Sequence, residues 1–135
     1  MAATTNQTIQ KSCGDRQAYP VKASTNIPEG TLVFIDSAGF AVAGTASGAN
    51  KFAGVAIKQA DNSSGTDGAI TVEVDRDSDA IYYLNGASFS QASVGVTCYA
   101  SDNFTVTATS TSNVNIGTIV EFVSATRVGV AINAI

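Results

Sequence analysis

Residues 28–43 read PEGTLVFIDSAGFAVA, and this stretch decides the fold class. The triplet 28–30 supplies a turn before the apolar run 31–35, and the residues DSAG at 36–39 turn the chain back into 40–43. Asp and Gly supply the side-chain cap and the positive φ that tight turns need. Two β-rich runs joined by such a turn predict a β-hairpin.

The rest of the chain repeats this pattern of short runs rich in Val, Ile, Phe, Tyr and Thr, separated by clusters of Gly, Asn, Asp and Ser. No stretch keeps a helical apolar period for three turns, and a single helical turn is expected within 87–93. We therefore predict an all-β fold, a compact β-barrel or sandwich of short strands. Further strands are expected at 52–58, 70–76, 80–85, 96–100, 104–108, 116–123 and 127–132.

The sequence also resembles itself at a spacing of 65 residues. Gly30 and the run TLVFID, followed by Phe40, parallel Gly95 and the run VTCYASD, followed by Phe104. The segments NKFAG and NIG begin 65 residues apart and extend the parallel. A solenoid needs three or more shorter repeats, so the spacing predicts a pseudo-two-fold barrel of two hairpin-containing halves. Chance similarity is the alternative, because strands of this kind share a small alphabet.

The first residues differ in composition from the rest and predict an extended N-terminal arm. Residues 1–11 read MAATTNQTIQK, rich in Thr and amide side chains, with Ile9 as the one large branched apolar residue. Such a segment cannot bury enough surface to order itself, so it either frays or adds as a strand to another chain. We predict an arm and lead-in at 1–20 and one β-barrel-like domain at 21–135. The predicted contact residues of the arm are Thr4, Thr5, Asn6, Gln7, Thr8, Ile9 and Gln10.

Composition excludes several classes of function. Charged residues make up 13% of the chain, the net charge is −4, and seven Lys and Arg residues are too few and too scattered to neutralise a nucleic acid. No run of about 18 apolar residues could span a membrane, and residues 1–10 lack the features of a secretory signal. Without any His, and without a recognisable nucleophile or phosphate-binding motif, no enzyme, catalytic residue or cofactor is predicted. Cys13 and Cys98 are expected to be free thiols.

Three carboxylates, Asp75, Asp77 and Asp79, are spaced two residues apart, which on a strand places them on one face. They could hold a cation, although Ala80 and Gly86 stand where a calcium loop needs Gly and Glu. The alternative is a solvated acidic edge that discourages strand pairing. A carbohydrate- or calcium-binding β-module is therefore one alternative function. Its candidate sugar-binding aromatics, which could equally be core residues, are Tyr82, Tyr83, Tyr99 and Phe104.

Four later runs resemble the C-terminal half of small tailed-phage capsid decoration (cement) proteins: GVTCYA from Gly95, NFTVT from Asn103, IGTIVEFV from Ile116 and RVGVAI from Arg127. The runs PEGTLVFI and FAGVAI are similar to the first half of that family, so the likeness spans about residues 21–132. The chain departs from the family at 80–86, where AIYYLNG stands in place of a Gly-Val-Phe-Leu-type strand.

The resemblance implies a β-barrel-like subunit on the outer surface of an assembled icosahedral head. Such a subunit is made in the host cytoplasm, binds the major capsid protein, is often a trimer, and braces neighbouring capsomers against the pressure of the packaged DNA. The arm would then grip the shell. A phage tail or head–tail joining protein is the alternative within the structural class, and it would form rings or tubes.

Overall fold

The chain forms twelve short β-strands and two single 3-10 turns within residues 2–135, which are the residues that the computed structural model describes. The all-β prediction is confirmed. The turn at Gln91–Ser93 falls inside the predicted helical turn, and the other lies at Ala46–Gly48. The strands are β1 Arg16–Pro20, β2 Thr25–Ile27, β3 Leu32–Ile35, β4 Ala41–Val42, β5 Lys51–Ala56, β6 Ala60–Asn62, β7 Thr71–Asp75, β8 Ile81–Gly86, β9 Thr97–Ala100, β10 Thr105–Thr107, β11 Val114–Ser124 and β12 Arg127–Ile132.

Ten of the strands form two five-stranded sheets with the same strand order. The first sheet runs β1-β7-β5-β3-β4, and the second runs β8-β12-β11-β9-β10 and closes into a barrel through parallel pairing of β8 with β10. In the first sheet the two edges meet at one parallel bridge, Val21 with Ala41. Its counterpart 65 residues later is the pair Gly86 with Val106. Strands β2 and β6 form a separate pair beside the first sheet.

The two sheets also share a β-bulge. Where β3 pairs with β5, Val33 faces Gly54 and Phe34 faces Phe52, so one residue of β5 is skipped. The equivalent step between β9 and β11 is marked by Gly117, which faces Cys98 in the same way. A bulge bends its strand and increases the twist, which helps a five-stranded sheet to curl. The repeat is thus present at the level of single residue pairs.

Each sheet encloses its own core, and equivalent positions supply the buried residues. The first core is lined mainly by Val and Ala, and the second by larger residues at several of the same places. The equivalent interior pairs are Val33 and Cys98, Ile35 and Ala100, Ala41 and Val106, Ala53 and Ile116, Ala56 and Ile119, Val72 and Val128, and Val74 and Val130.

The outer face of β3 and β5 joins the two sheets. Leu32, Phe34 and Phe52 are buried in the core cluster of the second sheet, and the two Phe rings lie 6.2 Å apart. Backbone hydrogen bonds reinforce this contact, because the Leu32 N–H donates to the Asn103 carbonyl at 2.8 Å and the Ile135 N–H donates to the Phe52 carbonyl at 3.0 Å. The side chains of both faces of β3 are therefore buried.

Three sequence predictions need correction. The predicted arm and lead-in at 1–20 contains β1, which pairs with β7 along its whole length, so the sheet begins at Arg16. Two strands, β2 and β6, were not predicted. The repeat builds two sheets with separate interiors rather than two halves of one barrel, and Gly54 matches Gly117 at a spacing of 63, because the β4–β5 connection is longer than the β10–β11 connection.

Candidate functional site

The N-terminal arm lies apart from both sheets. All seven predicted contact residues, Thr4 to Gln10, are exposed and outside any strand, and the Ile9 side chain is 89% exposed. The amide nitrogen of Gln7 donates to the carbonyl of Thr5 at 3.2 Å and to its hydroxyl at 3.1 Å. Across the described residues, no hydrogen bond joins 2–11 to the sheets. Met1, the first residue of the predicted arm, lies outside the described residues.

The arm therefore carries free backbone donors and acceptors over ten consecutive residues. Thr is common in strands, and an extended segment with unpaired backbone groups can add to the edge of another sheet. In a strand, side chains alternate between two faces, so Thr5, Gln7 and Ile9 would share one face of the arm. This arrangement can bind another protein surface.

The three predicted carboxylates are not aligned on one strand face, because β7 ends at Asp75 and the chain then turns. Asp75 accepts a hydrogen bond from the Tyr82 hydroxyl at 2.8 Å, and Asp77 accepts one from the backbone N–H of Asp79 at 2.9 Å. Within residues 2–135 no three acidic or Cys side chains come together as metal ligands do. The same-face prediction is wrong, and the carboxylates of Asp75 and Asp77 fix the turn.

This turn connects the first sheet to the second. The backbone N–H of Asp77 donates to the Tyr82 hydroxyl at 3.1 Å, so one phenol ties the end of β7 to the start of β8. Burial, together with the hydrogen bond to Asp75, raises the pKa of Tyr82 to about 12. Tyr82 is thus a structural residue of the junction rather than part of a sugar-binding face.

Two of the four predicted aromatics, Tyr83 and Phe104, do lie together. They line a cavity of about 60 Å³ between the sheets, with the amide side chains Asn85 and Asn103 beside them. The Tyr83 hydroxyl donates to Glu121 at 2.7 Å, and this bond raises the pKa of Tyr83. Tyr99 is half-buried on β9 and does not line the cavity.

An arginine stacks above this cavity. The Arg127 guanidinium lies 5.7 Å from the centre of the Tyr83 ring and donates to the Asn85 side-chain carbonyl at 3.2 Å. A guanidinium over an aromatic face is attracted by the ring quadrupole. The cavity thus combines exposed aromatic surface with polar groups of several kinds, which is the chemistry that binds small polar ligands such as sugars.

A third feature gives no signal in the local sequence. Four exposed valines lie near one end of the second sheet, where the segment before β9 passes beside β11. Their exposed fractions run from 38% to 46%. The repeat was the one available signal, because the matching positions of the first half include the buried residues Thr31 and Ala60. We call these residues the valine end: Val94, Val96, Val120 and Val123.

The remaining charged and thiol groups are structural or isolated. The Lys22 ammonium lies 2.6 Å from the Asp36 carboxylate, and this contact, with two backbone N–H donors, holds the pKa of Asp36 below its ordinary value. Asp36 thereby fixes the β3–β4 turn. Cys13 is exposed, whereas Cys98 is buried, and its burial raises its pKa to about 12.

Comparison with protein-family models, curated proteins and solved structures found no match to this chain. In the described part of the chain, no helix is long and apolar enough to cross a membrane. The arm, the aromatic cavity and the valine end are therefore the features from which a function can be argued.

Proposed function

We propose that this protein is a non-enzymatic structural component of a virion, which decorates an assembled phage capsid and braces neighbouring capsomers. The observation that carries the proposal is the arm: residues 4–10 are exposed, extended and unbonded to the rest of the described chain. A segment of this kind is suited to bind a second protein, and the resemblance of residues 21–132 to capsid decoration proteins identifies the major capsid protein as that partner.

The energetics favour many weak contacts over one strong contact. Ordering the backbone costs about 1–2 kcal/mol per residue, so fixing the seven contact residues costs roughly 10 kcal/mol. Backbone pairing and burial of Ile9 offset this cost only when the arm meets a sheet edge. Linking several arms in one oligomer raises the overall affinity by about 10²-fold or more without new contacts. A homo-oligomer, with a trimer favoured, is therefore part of the proposal.

The body of the protein is consistent with this role. Charged residues are about half as frequent as in an ordinary soluble domain, where they make up about a quarter of the chain. Large apolar side chains remain exposed at both sheets' margins, among them Phe104 and Val123. Surfaces of this type mark protein–protein contacts.

The test is binding to expanded heads of the phage that encodes the chain. The wild-type protein should bind the heads and raise the temperature at which they rupture. A chain lacking residues 2–11 should lose most of this binding, and so should a chain in which 4–10 are replaced by Gly and Ser at unchanged length. Undiminished binding by both variants would disprove the role of the arm, and a wild-type chain that ignores the heads would disprove the function.

Carbohydrate binding is the second candidate, favoured by the cavity that Tyr83 and Phe104 line. A pyranose ring can stack on an exposed aromatic face while its hydroxyl groups bond to Asn85 and Asn103. Titration with neutral mono- and oligosaccharides, followed by NMR of the aromatic signals, tests it. Saturable shifts that disappear in Tyr83→Ala would support this function, and unchanged spectra at high sugar concentration would exclude it.

A further inference from the structure

The two sheets differ at one end, and the difference leaves an unpaired strand edge. In the first half, β2 pairs with β6 beside the sheet, from Thr25 opposite Asn62 to Ile27 opposite Ala60. The repeat places the 3-10 turn Gln91–Ser93 where β2 would lie, and the distal part of β11 where β6 would lie. The second half therefore lacks the strand that completes this end of the first half.

The hydrogen bonds define the length of the free edge. On the side away from β12, Ile119 bonds to the segment before β9, because its N–H donates to the Val96 carbonyl at 2.9 Å. At the hairpin tip, the Ala125 carbonyl accepts from the Phe89 N–H at 3.0 Å. Within the described residues, backbone pairing of 120–124 is with β12 alone. Five residues of β11 thus present an edge without a partner strand.

The valine end lies along this same edge. Val96 and Val123 are 38% and 46% exposed, whereas their counterparts in the first half, Thr31 and Ala60, are 9% and 5% exposed. Burying four such side chains contributes about 1 kcal/mol or more each. The second half therefore leaves exposed what the first half covers with its own chain.

The 3-10 turn beside the edge can move at little cost. Its hydrogen bonds are internal: the Ser90 N–H donates to the Ser93 hydroxyl at 3.0 Å, and the Ser93 N–H donates to the Ser90 carbonyl at 2.9 Å. Displacing the turn would thus break no hydrogen bond to β11 among the described residues. An incoming strand could then approach to the usual spacing of about 4.8 Å.

We propose that the N-terminal arm of a second copy of this chain adds to the edge 120–124 as a β-strand. The arm has unpaired backbone groups, a high Thr content, and one exposed branched apolar side chain, Ile9, to set against the valine end. Seven extended residues span about 23 Å and the edge about 17 Å, so the arm covers it. The charges also agree, since Lys11 would approach the exposed Glu121.

A second copy is the occupant because the arm lies free of its own body. In the single chain, residues 2–11 extend from the start of β1 without a hydrogen bond to either sheet. Each copy offers one arm and one edge, so the contact is head-to-tail and can close into a ring. With Ile9 facing the valine end, the opposite face of the arm, with Thr4, Asn6, Thr8 and Gln10, remains available to the shell.

The test is the native mass of the protein in solution, measured by light scattering over a wide concentration range, with no capsid present. The full chain should form an oligomer of two or more 13.7 kDa subunits. Ile9→Asp should be monomeric, whereas Thr8→Asp, which adds the same charge on the other face of the arm, should assemble normally. Val123→Lys should be monomeric, whereas Ser37→Lys, in the β3–β4 turn, should assemble.

Mixing two defective variants makes the test specific for exchange between copies. The chain without residues 2–11 keeps its edge, and Val123→Lys keeps its arm, so together they should form a one-to-one complex although each alone is monomeric. This result also shows that both variants are folded. A monomeric full chain, whether the arm is free or folded onto its own edge, would overturn the inference, and so would an oligomer that survives loss of the arm. Neither outcome bears on binding to heads, which is a separate measurement.

Discussion

Replacing Gly117 with alanine tests whether the shared bulge shapes the second sheet. Gly117 has a φ of +152°, and a Cβ atom at this position would lie 2.1 Å from the Ala131 carbonyl oxygen and 2.9 Å from the Ile132 Cα. Both atoms belong to the backbone of β12, so the methyl group cannot be relieved by a change of side-chain rotamer. β12 must shift away from β11, or the bulge must be lost.

The expected cost follows from two effects. A backbone conformation that L-residues rarely adopt costs about 1–3 kcal/mol, and forcing a methyl group into a packed site costs about 1–3 kcal/mol more. Their sum is about 4 kcal/mol, a large part of the roughly 5–15 kcal/mol by which domains are stable. For 135 residues, an unfolding entropy of about 2.1 cal/mol/K per residue converts this into a fall in Tm of about 14 °C.

Calorimetry and urea unfolding measure the effect, and Gly95 provides the matched control. Gly95 has a φ of +88°, and no heavy atom lies within 4 Å of the position that a Cβ atom would take there. Gly95→Ala should therefore cost only about 1–2 kcal/mol, which is the cost of a left-handed conformation alone. If the two variants melt at the same temperature, close approach of β12 to the bulge is not what requires glycine at 117.

Three further results are expected. In the native protein, a thiol reagent should label Cys13 quickly and Cys98 only after unfolding, because burial holds the pKa of Cys98 near 12, and one-step labelling of both thiols would contradict this. Burial raises the pKa of Tyr82 from 10.0 to about 12, so its contribution to stability is complete below pH 10 and is lost between pH 10 and 12; because solvent screens this partly exposed phenol, Tyr82→Phe should remove only about 1 kcal/mol of the alkaline loss in urea titrations. Calcium at millimolar concentration should leave Tm unchanged, because Asp75 and Asp77 already accept hydrogen bonds within the turn, and a clear rise in Tm would revive the cation site.

The strands that the sequence predicts are those whose signals are local. The hairpin of β3 and β4 follows from its apolar runs and from Asp36, whose carboxylate accepts hydrogen bonds from the Ala38 and Phe40 N–H groups, as the turn composition suggests. β1 gives no such signal: RQAYP is mostly exposed and ends in Pro, and it is a strand because β7 pairs with it. Pairing with a distant strand is a tertiary effect that local composition does not encode.

The candidate sites depended even more on distant contacts. The same-face geometry of the three carboxylates assumed that β7 continues past Asp75, but the Tyr82 hydroxyl captures that carboxylate and the chain turns. Exposure of the valine end arises from a strand that is absent opposite β11 in the described chain, and Val120 and Val123 alone read as ordinary strand residues. The exposed arm, by contrast, was predictable because its composition permits no core of its own.

The differences between the two halves explain why repetition of the sheet stops at two. The first sheet buries Leu32, Phe34 and Phe52 of its outer face in the second. The equivalent positions of the second sheet carry Thr97, Tyr99 and Asn115, two of them half-buried and the third exposed. A third sheet stacked in the same way would find no comparable apolar surface.

Association between chains must therefore use other surfaces than the one that joins the halves. The arm and the valine end are available, lie on different parts of the chain, and are complementary in shape and polarity. Contacts of this head-to-tail type make rings when the rotation between neighbours closes and fibres when it does not. A flexible arm tolerates a range of rotations, so the smallest ring that relieves strain is favoured, because it leaves no arm and no edge unpaired. On this reasoning the closed oligomer is the form that meets the capsid, with every Ile9 buried and the polar face of every arm turned outward.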